Sequence, residues 1–201
     1  SNGPAFGLFV ATAAGGELLE LPAETIEVAR VQVIHNSADL AADTVDVYLN
    51  DVLLLDNFAF RTASPFVDAP IGAAFDITVA PKTSADSSDV IWRKSYTLEG
   101  GKTYVLIANG IVSASGYDPV QAFDIYVFDM GREVAGTAGN TDILIFHGST
   151  DAPTVDIHEA TAGELIDNLA YGEFDADYLE LPTADYVIEV RDETGETVVA
   201  S

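Results

Sequence analysis

Along most of the chain, apolar and polar residues alternate with a period of two, and no stretch sustains a helical period of 3.6. Val31/Val33, Val45/Val47, Phe75/Ile77/Val79 and Tyr186/Ile188/Val190 each set apolar side chains on one face of an extended segment. Tyr104-Val105-Leu106-Ile107-Ala108 is apolar on both faces, the pattern of a strand covered on two sides. These runs are short and are broken by Asp, Asn, Gly and Pro about every 8–12 residues, which predicts an all-β sandwich or barrel. Near Gly163–Asn168 the sequence also allows a short, minor helical turn.

The chain also repeats itself. Ile34-His35-Asn36-Ser37-Ala38-Asp39, followed by Thr44-Val45-Asp46-Val47-Tyr48, recurs as Phe146-His147-Gly148-Ser149-Thr150-Asp151, followed by Thr154-Val155-Asp156-Ile157-His158. Asp56-Asn57-Phe58-Ala59-Phe60 recurs as Asp167-Asn168-Leu169-Ala170-Tyr171, and Phe75-Asp76-Ile77-Thr78-Val79 as Tyr186-Val187-Ile188-Glu189-Val190. The offset stays at 110–112 residues, as tandem duplication requires. Residues 29–138 then read as a first domain and 139–201 as a second, joined through the Gly-, Ala- and Thr-rich segment 131–139. Residues 1–28 form a separate N-terminal strand segment.

The His-x-Ser-x-Asp turn, the Thr-Val-Asp-Val strand and the later Gly100-Gly101-Lys102-Thr103-Tyr104-Val105-Leu106 strand resemble the domain of unknown function 4397 family. The resemblance covers most of residues 29–128 and again 142–200. It implies immunoglobulin-like β-sandwiches, often in tandem, on secreted or surface proteins of bacteria and archaea. It implies no established activity and brings no catalytic residues.

Measured from the two His turns, the second copy is short. It reaches Thr197–Ser201 without counterparts of Tyr104–Asn109 and Phe123–Val127. A sandwich lacking two strands leaves unpaired backbone groups and an open apolar groove. The N-terminal segment offers what is lacking. Phe6-Gly7-Leu8-Phe9-Val10-Ala11 resembles Tyr104–Asn109, and Leu18-Leu19-Glu20-Leu21 stands for Ile125–Phe128. Three arrangements follow: donation of Phe6, Leu8, Phe9 and Val10 to the next copy, closure onto the same chain, or neither, the chain being a fragment of a longer array or its second domain a smaller variant sandwich. Donation to a neighbour is heterologous and propagates into a homo-polymer.

Charge narrows the partners. The chain carries 33 Asp plus Glu against 8 Lys plus Arg, a formal net charge of −25. Such a surface repels nucleic acid and anionic lipid. It also repels itself until salt screens it, which suits a salt-loving organism. No apolar run approaches the ~18 residues of a membrane-spanning helix. There is no cysteine, so disulfides, thiolate metal sites and a Cys nucleophile are absent.

Candidate chemistry is thin. Asp39, Asp43 and Asp151 are weak calcium candidates, because oxygen-rich turns hold Ca²⁺. No Asp-x-Asp-x-Asp-Gly loop occurs, so these carboxylates read as turn caps and surface groups. Asp46 and Asp156 are expected to point to the outer face, and His158, in place of Tyr48, to be an exposed strand residue. His35 and His147, with Asp39 and Asp151, read as structural elements of the two turns, each imidazole buried and bonded to turn backbone. No nucleophile–His–carboxylate spacing or Gly-x-Ser-x-Gly elbow is present. Trp92, Tyr96, Tyr117 and Tyr126 are aromatic candidates for stacking on a glycan. The expectation is therefore a non-enzymatic extracellular structural subunit that needs no cofactor and assembles head to tail. The alternative is a monomeric surface module that binds glycan or protein.

Overall fold

The computed structural model describes residues 9–11, 13–20 and 27–200. It is all-β apart from one short 3₁₀ turn at Leu40–Ala42. The strands are β1 (Phe9–Val10), β2 (Leu19–Glu20), β3 (Ala29–His35), β4 (Thr44–Leu49), β5 (Val52–Ala59), β6 (Thr62–Ala63), β7 (Val67–Ala69), β8 (Phe75–Pro81) and β9 (Trp92–Tyr96). They continue with β10 (Thr103–Asn109), β11 (Asp124–Phe128), β12 (Asn140–Ile143), β13 (Val155–Glu159), β14 (Gly163–Leu169), β15 (Leu179–Pro182), β16 (Ile188–Asp192) and β17 (Val198–Ala200). Phe6 and Leu8 lie outside the described residues.

Two sheets make the first half. One runs β11-β10-β3-β6, with β7 also on β3; the other runs β5-β4-β8-β9. Strand β3 has the period-two burial that its sequence demands, with Ala29, Val31, Val33 and His35 inward. Its neighbour β10 runs parallel to it, from Thr103 opposite Arg30 to Ala108 opposite His35. Between the sheets lies a core of seventeen buried residues, including Val33, Val45, Val47, Phe58 and Val79. Leu106 and Ala108 of β10, with Phe123 and Ile125, fill the remaining side of that core.

The second half repeats part of this plan. Strands β14-β13-β16-β17 form a four-stranded sheet, and β12 pairs with β15. The β13–β14 ladder shifts register between Val155 and Ile157, as the β4–β5 ladder does between Val45 and Val47. Gly163–Leu169 is strand β14, not the helical turn its sequence suggests. Two consecutive apolar residues, Leu165 and Ile166, interrupt the alternation there, where the ladder also shifts register. Only Val155, Ile157, Ile166 and Leu169 are fully buried in this core. Among the described residues, no strand pairs with the edge of β12 that corresponds to the β10 side of β3.

The halves lie side by side. Val105, Ile107 and Phe128, on the outer face of β10 and β11, are buried with Leu144, Phe146, Phe174 and Tyr178 of the second half. This accounts for the two-faced apolar run at Tyr104–Ala108: one face meets the core and the other meets the second half. Ring pairs tie the seam, with Tyr126–Phe146 centroids 5.1 Å apart and Phe128–Phe174 5.3 Å apart. Arg132, in the connecting segment, bonds Asp142, Asp177 and Glu180 and lies over the Tyr178 ring.

Candidate assembly groove and the two His turns

The His-x-Ser spacing makes one closed turn, used twice. His35 Nε2 donates to Ala42 O at 2.7 Å, and its Nδ1 accepts from Ser37 N at 3.3 Å. His147 does the same with Pro153 O at 2.8 Å and Ser149 N at 3.3 Å. Both rings are buried and have both nitrogens occupied by backbone, so neither is free to accept a proton from a substrate or to ligate a metal. Burial holds the His35 imidazolium below its ordinary pKa, against weaker support from Ala42 O and Asp43.

The turns differ in what lies across from them. Ser37 donates to Gly110 O at 2.6 Å. Asp39 is 1% exposed and receives Ala41 N, Val112 N, Ser113 N, the Ser113 hydroxyl and the Tyr117 hydroxyl. Burial alone would raise the pKa of this carboxyl, but the Ala41, Ser113 and Val112 donors together hold it below the usual carboxylate range. With both oxygens taken by protein donors, Asp39 is spent as a calcium ligand. Every one of these partners except Ala41 comes from the segment after β10. In the second half Ser149 and Asp151 are exposed, and the Ser149 hydroxyl turns back onto Asp151. Asp43 is exposed beside Lys82, so the three calcium candidates do not converge.

The two halves also differ in their cores. The space between the sheets of the first half is reduced to a cavity of about 90 Å³, bounded by Val33, His35, Val45, Val47, Phe58 and Val79 and closed by Leu106, Ala108, Phe123 and Ile125. The equivalent residues Ile145, His147, Val155, Ile157, Leu169 and Val190 line a groove of about 420 Å³ in the second half, with Val199 and Ala200 at its rim. Among the described residues, no counterparts of Leu106, Ala108, Phe123 and Ile125 line it.

At the N-terminus, β1 and β2 form an antiparallel pair, Phe9 opposite Glu20 and Val10 opposite Leu19. The pairing repeats that of β10 and β11, in which Ala108 faces Ile125. Leu19 rather than Leu18 therefore stands in the Ile125 position, one residue from the alignment read in the sequence. Phe9 and Val10 are 47% and 43% exposed, and Leu18 and Leu19 more so.

Three expectations are corrected. Asp46 and Asp156 lie in strands but are buried, 3% and 2% exposed. The register shift in each ladder presents a left-handed Asn whose amide donates inward: Asn57 N to Asp46 Oδ1 at 2.9 Å, and Asn168 N to Asp156 Oδ1 at 2.8 Å. The repeated Asp-Asn pairs, Asp56-Asn57 and Asp167-Asn168, were the signal for this. His158 is likewise buried. The four aromatic candidates form no common platform: Trp92 packs edge-on against Phe123, Tyr96 lies against the core, Tyr117 bonds Asp39, and Tyr126 lies in the seam. Sequence reading passed over Asn109, whose amide joins the Asn36 side chain to the Tyr171 hydroxyl across the seam.

These features define an all-β chain that carries one His turn twice, with a groove beside the second turn among the described residues. The chain belongs to the family described as Domain of unknown function (DUF4397), which matches residues 29–158, more than half its length. The match takes in the first half, the connection and the second His turn through β13. Neither curated proteins nor solved structures return a match.

Proposed function

We propose that the chain is an extracellular structural subunit of two immunoglobulin-like β-sandwiches, which assembles head to tail. In this reading the N-terminal strand pair of one copy fills the groove in the second sandwich of the next. The observation that carries it is the correspondence of spaces: residues equivalent to those around the filled core of the first half surround a groove of about 420 Å³ in the second. The β1–β2 pair has the pairing of the strands that the groove lacks, and its apolar side chains are exposed. A two-stranded pair alone is marginally stable in water.

The mechanism needs no chemistry beyond folding. β1 would run parallel to residues 143–147, as β10 runs parallel to β3, with Val10 beside His147 as Ala108 is beside His35. Backbone hydrogen bonds then satisfy the free edge. Burial of Val10 and Leu19 stabilises the contact by about 3–5 kcal/mol before association costs. Because donor and acceptor are different surfaces, the contact propagates into a filament. The acidic surface favours assembly at high salt, where repulsion between copies is screened.

The side-by-side packing of the halves favours a second reading, in which the strand pair closes onto its own chain and leaves a monomeric surface module that binds glycan or protein. Electron microscopy of the purified protein in molar salt separates the two: filaments support donation, and monodisperse particles support closure. Deleting residues 1–20 should leave soluble subunits with a destabilised second half. Filaments from the deleted protein would refute strand donation.

A further inference from the structure

The two halves differ at one more place. In the first, Asp46 Oδ2 accepts from the Ser84 hydroxyl at 2.6 Å, and Tyr48 Oη meets Ser84 Oγ at 2.9 Å. Leu53 stands opposite Tyr48 on β5. The result is a closed hydroxyl network around a buried carboxylate. In the second half, Asp156 keeps the carboxylate, but His158 replaces Tyr48, Glu164 replaces Leu53 in the same register position, and Gly195 replaces Ser84. An added Cβ on Gly195 would lie 3.2 Å from Asp156 Oδ2 and 3.4 Å from His158 Nε2, so Gly195 occupies the place of Ser84 and leaves it open.

We propose that Asp156, His158 and Glu164 bind a divalent transition-metal ion of the zinc type. One ligand atom from each lies within 4.8 Å of the others, and His158 Nε2 is 3.9 Å from a Glu164 carboxylate oxygen. His158 is 8% exposed, yet its Nε2 has no hydrogen-bond partner. A buried ring nitrogen left unpaired is costly, and here it faces two carboxylates. The Asn168 amide fixes Asp156 through Oδ1 and leaves Oδ2 toward the histidine. Glu164 is half exposed, free to close the set to the shorter separations that bonds of about 2.0–2.2 Å require.

Charge and donor type select the ion. Arg191, opposite Asp156 on β16, is bonded to Glu189 and to Gly195 O. With Arg191 matched by Glu189, Asp156 and Glu164 remain as two carboxylates, the complement of a divalent cation. Imidazole nitrogen beside carboxylate favours zinc or a neighbouring transition metal over calcium or magnesium, which take oxygen. Three protein ligands leave a fourth position to water. The ligands join β13 to β14, with Gly195 of the 192–197 turn beside them, so occupancy stiffens this strand pair whether or not strands are donated.

Metal-stripped full-length protein, titrated with Zn²⁺ in molar salt and excess Mg²⁺ to saturate the acidic surface, tests this. One tight equivalent is expected, with visible Co²⁺ bands on substitution and a raised unfolding midpoint. His158→Asn should abolish the tight equivalent. Glu164→Leu, which installs the residue of the first half at a half-exposed position, should weaken binding at least about tenfold while the protein stays folded. The absence of tight binding in the parent, or equal binding by parent and both variants, would overturn the site.

Discussion

Gly148 is where the two His turns meet, and a side chain there probes how the halves pack. A Cβ at this position would lie 2.3 Å from Asn36 Nδ2, 2.9 Å from Phe146 Cε1 and 3.1 Å from Asn109 Oδ1. The first of these neighbours is the end of a side chain and can swing away. In doing so Asn36 gives up its 2.9 Å bond to Asn109 Oδ1, a loss of about 1 kcal/mol. Phe146 cannot yield as easily, because its ring is 4.7 Å from Phe174 and 5.1 Å from Tyr126. Overpacking of that kind costs about 1–3 kcal/mol. Gly148→Ala should therefore lose about 2–4 kcal/mol in urea unfolding. Asn36→Ala alone should lose about 1 kcal/mol, and Asn36→Ala/Gly148→Ala should recover part of the loss, with a coupling of about 1 kcal/mol between neighbours in contact. A Gly148→Ala protein within about 0.5 kcal/mol of the parent, or no recovery in the double variant, would refute the side-by-side packing.

Other perturbations separate the halves by their partners. Asp39→Asn removes a charge that five donors surround and should cost about 3–5 kcal/mol, while Asp151→Asn at the exposed equivalent should stay within about 0.5 kcal/mol by the same urea assay. Acid should destabilise the protein in two windows when repulsion is screened by molar salt. The folded pKa of His35 is lowered, so its contribution is complete above about pH 6.5 and is lost as pH falls toward the folded value; that of Asp39 is complete above about pH 4 and is lost below it. A thermal midpoint that holds steady from pH 7 down to pH 4 contradicts the first window. With a net charge of −25, the thermal midpoint at neutral pH should rise as KCl increases toward molar concentration, and a flat response would remove self-repulsion as a term in stability.

Much of the fold was legible because burial imposes a period of two. The inward set of β3 and the partners Val45, Val47, Phe75, Ile77 and Val79 follow from alternation alone. Pairing was not legible, since nothing local to β3 names β10, some seventy residues on, as its parallel neighbour. Val105, Ile107 and Phe128 announced a second covered face but not what covers it. The orientation of Asp46 and Asp156 was misread because a register shift, invisible to alternation, turns each carboxylate inward toward an Asn amide. The convergence of Asp156, His158 and Glu164 needed the β13–β14 register, for Glu164 is opposite His158 only after two shifts, between Val155 and Ile157 and between Ile157 and His158. The groove of about 420 Å³ beside the second His turn has a lining that only the folded arrangement brings together.

The absence of cysteine in the chain allows strand donation to be tested by cross-linking. One preparation carries Val10→Cys in the strand pair and another carries Ala152→Cys on the groove wall, and the two are mixed in molar salt with a short thiol-reactive cross-linker. Donation between copies predicts a covalent dimer in the mixture, and a ladder of higher species when both substitutions share one chain. A cross-linked monomer from the doubly substituted chain, with no dimer in the mixture, would contradict donation and assign the groove to the same chain's own strands.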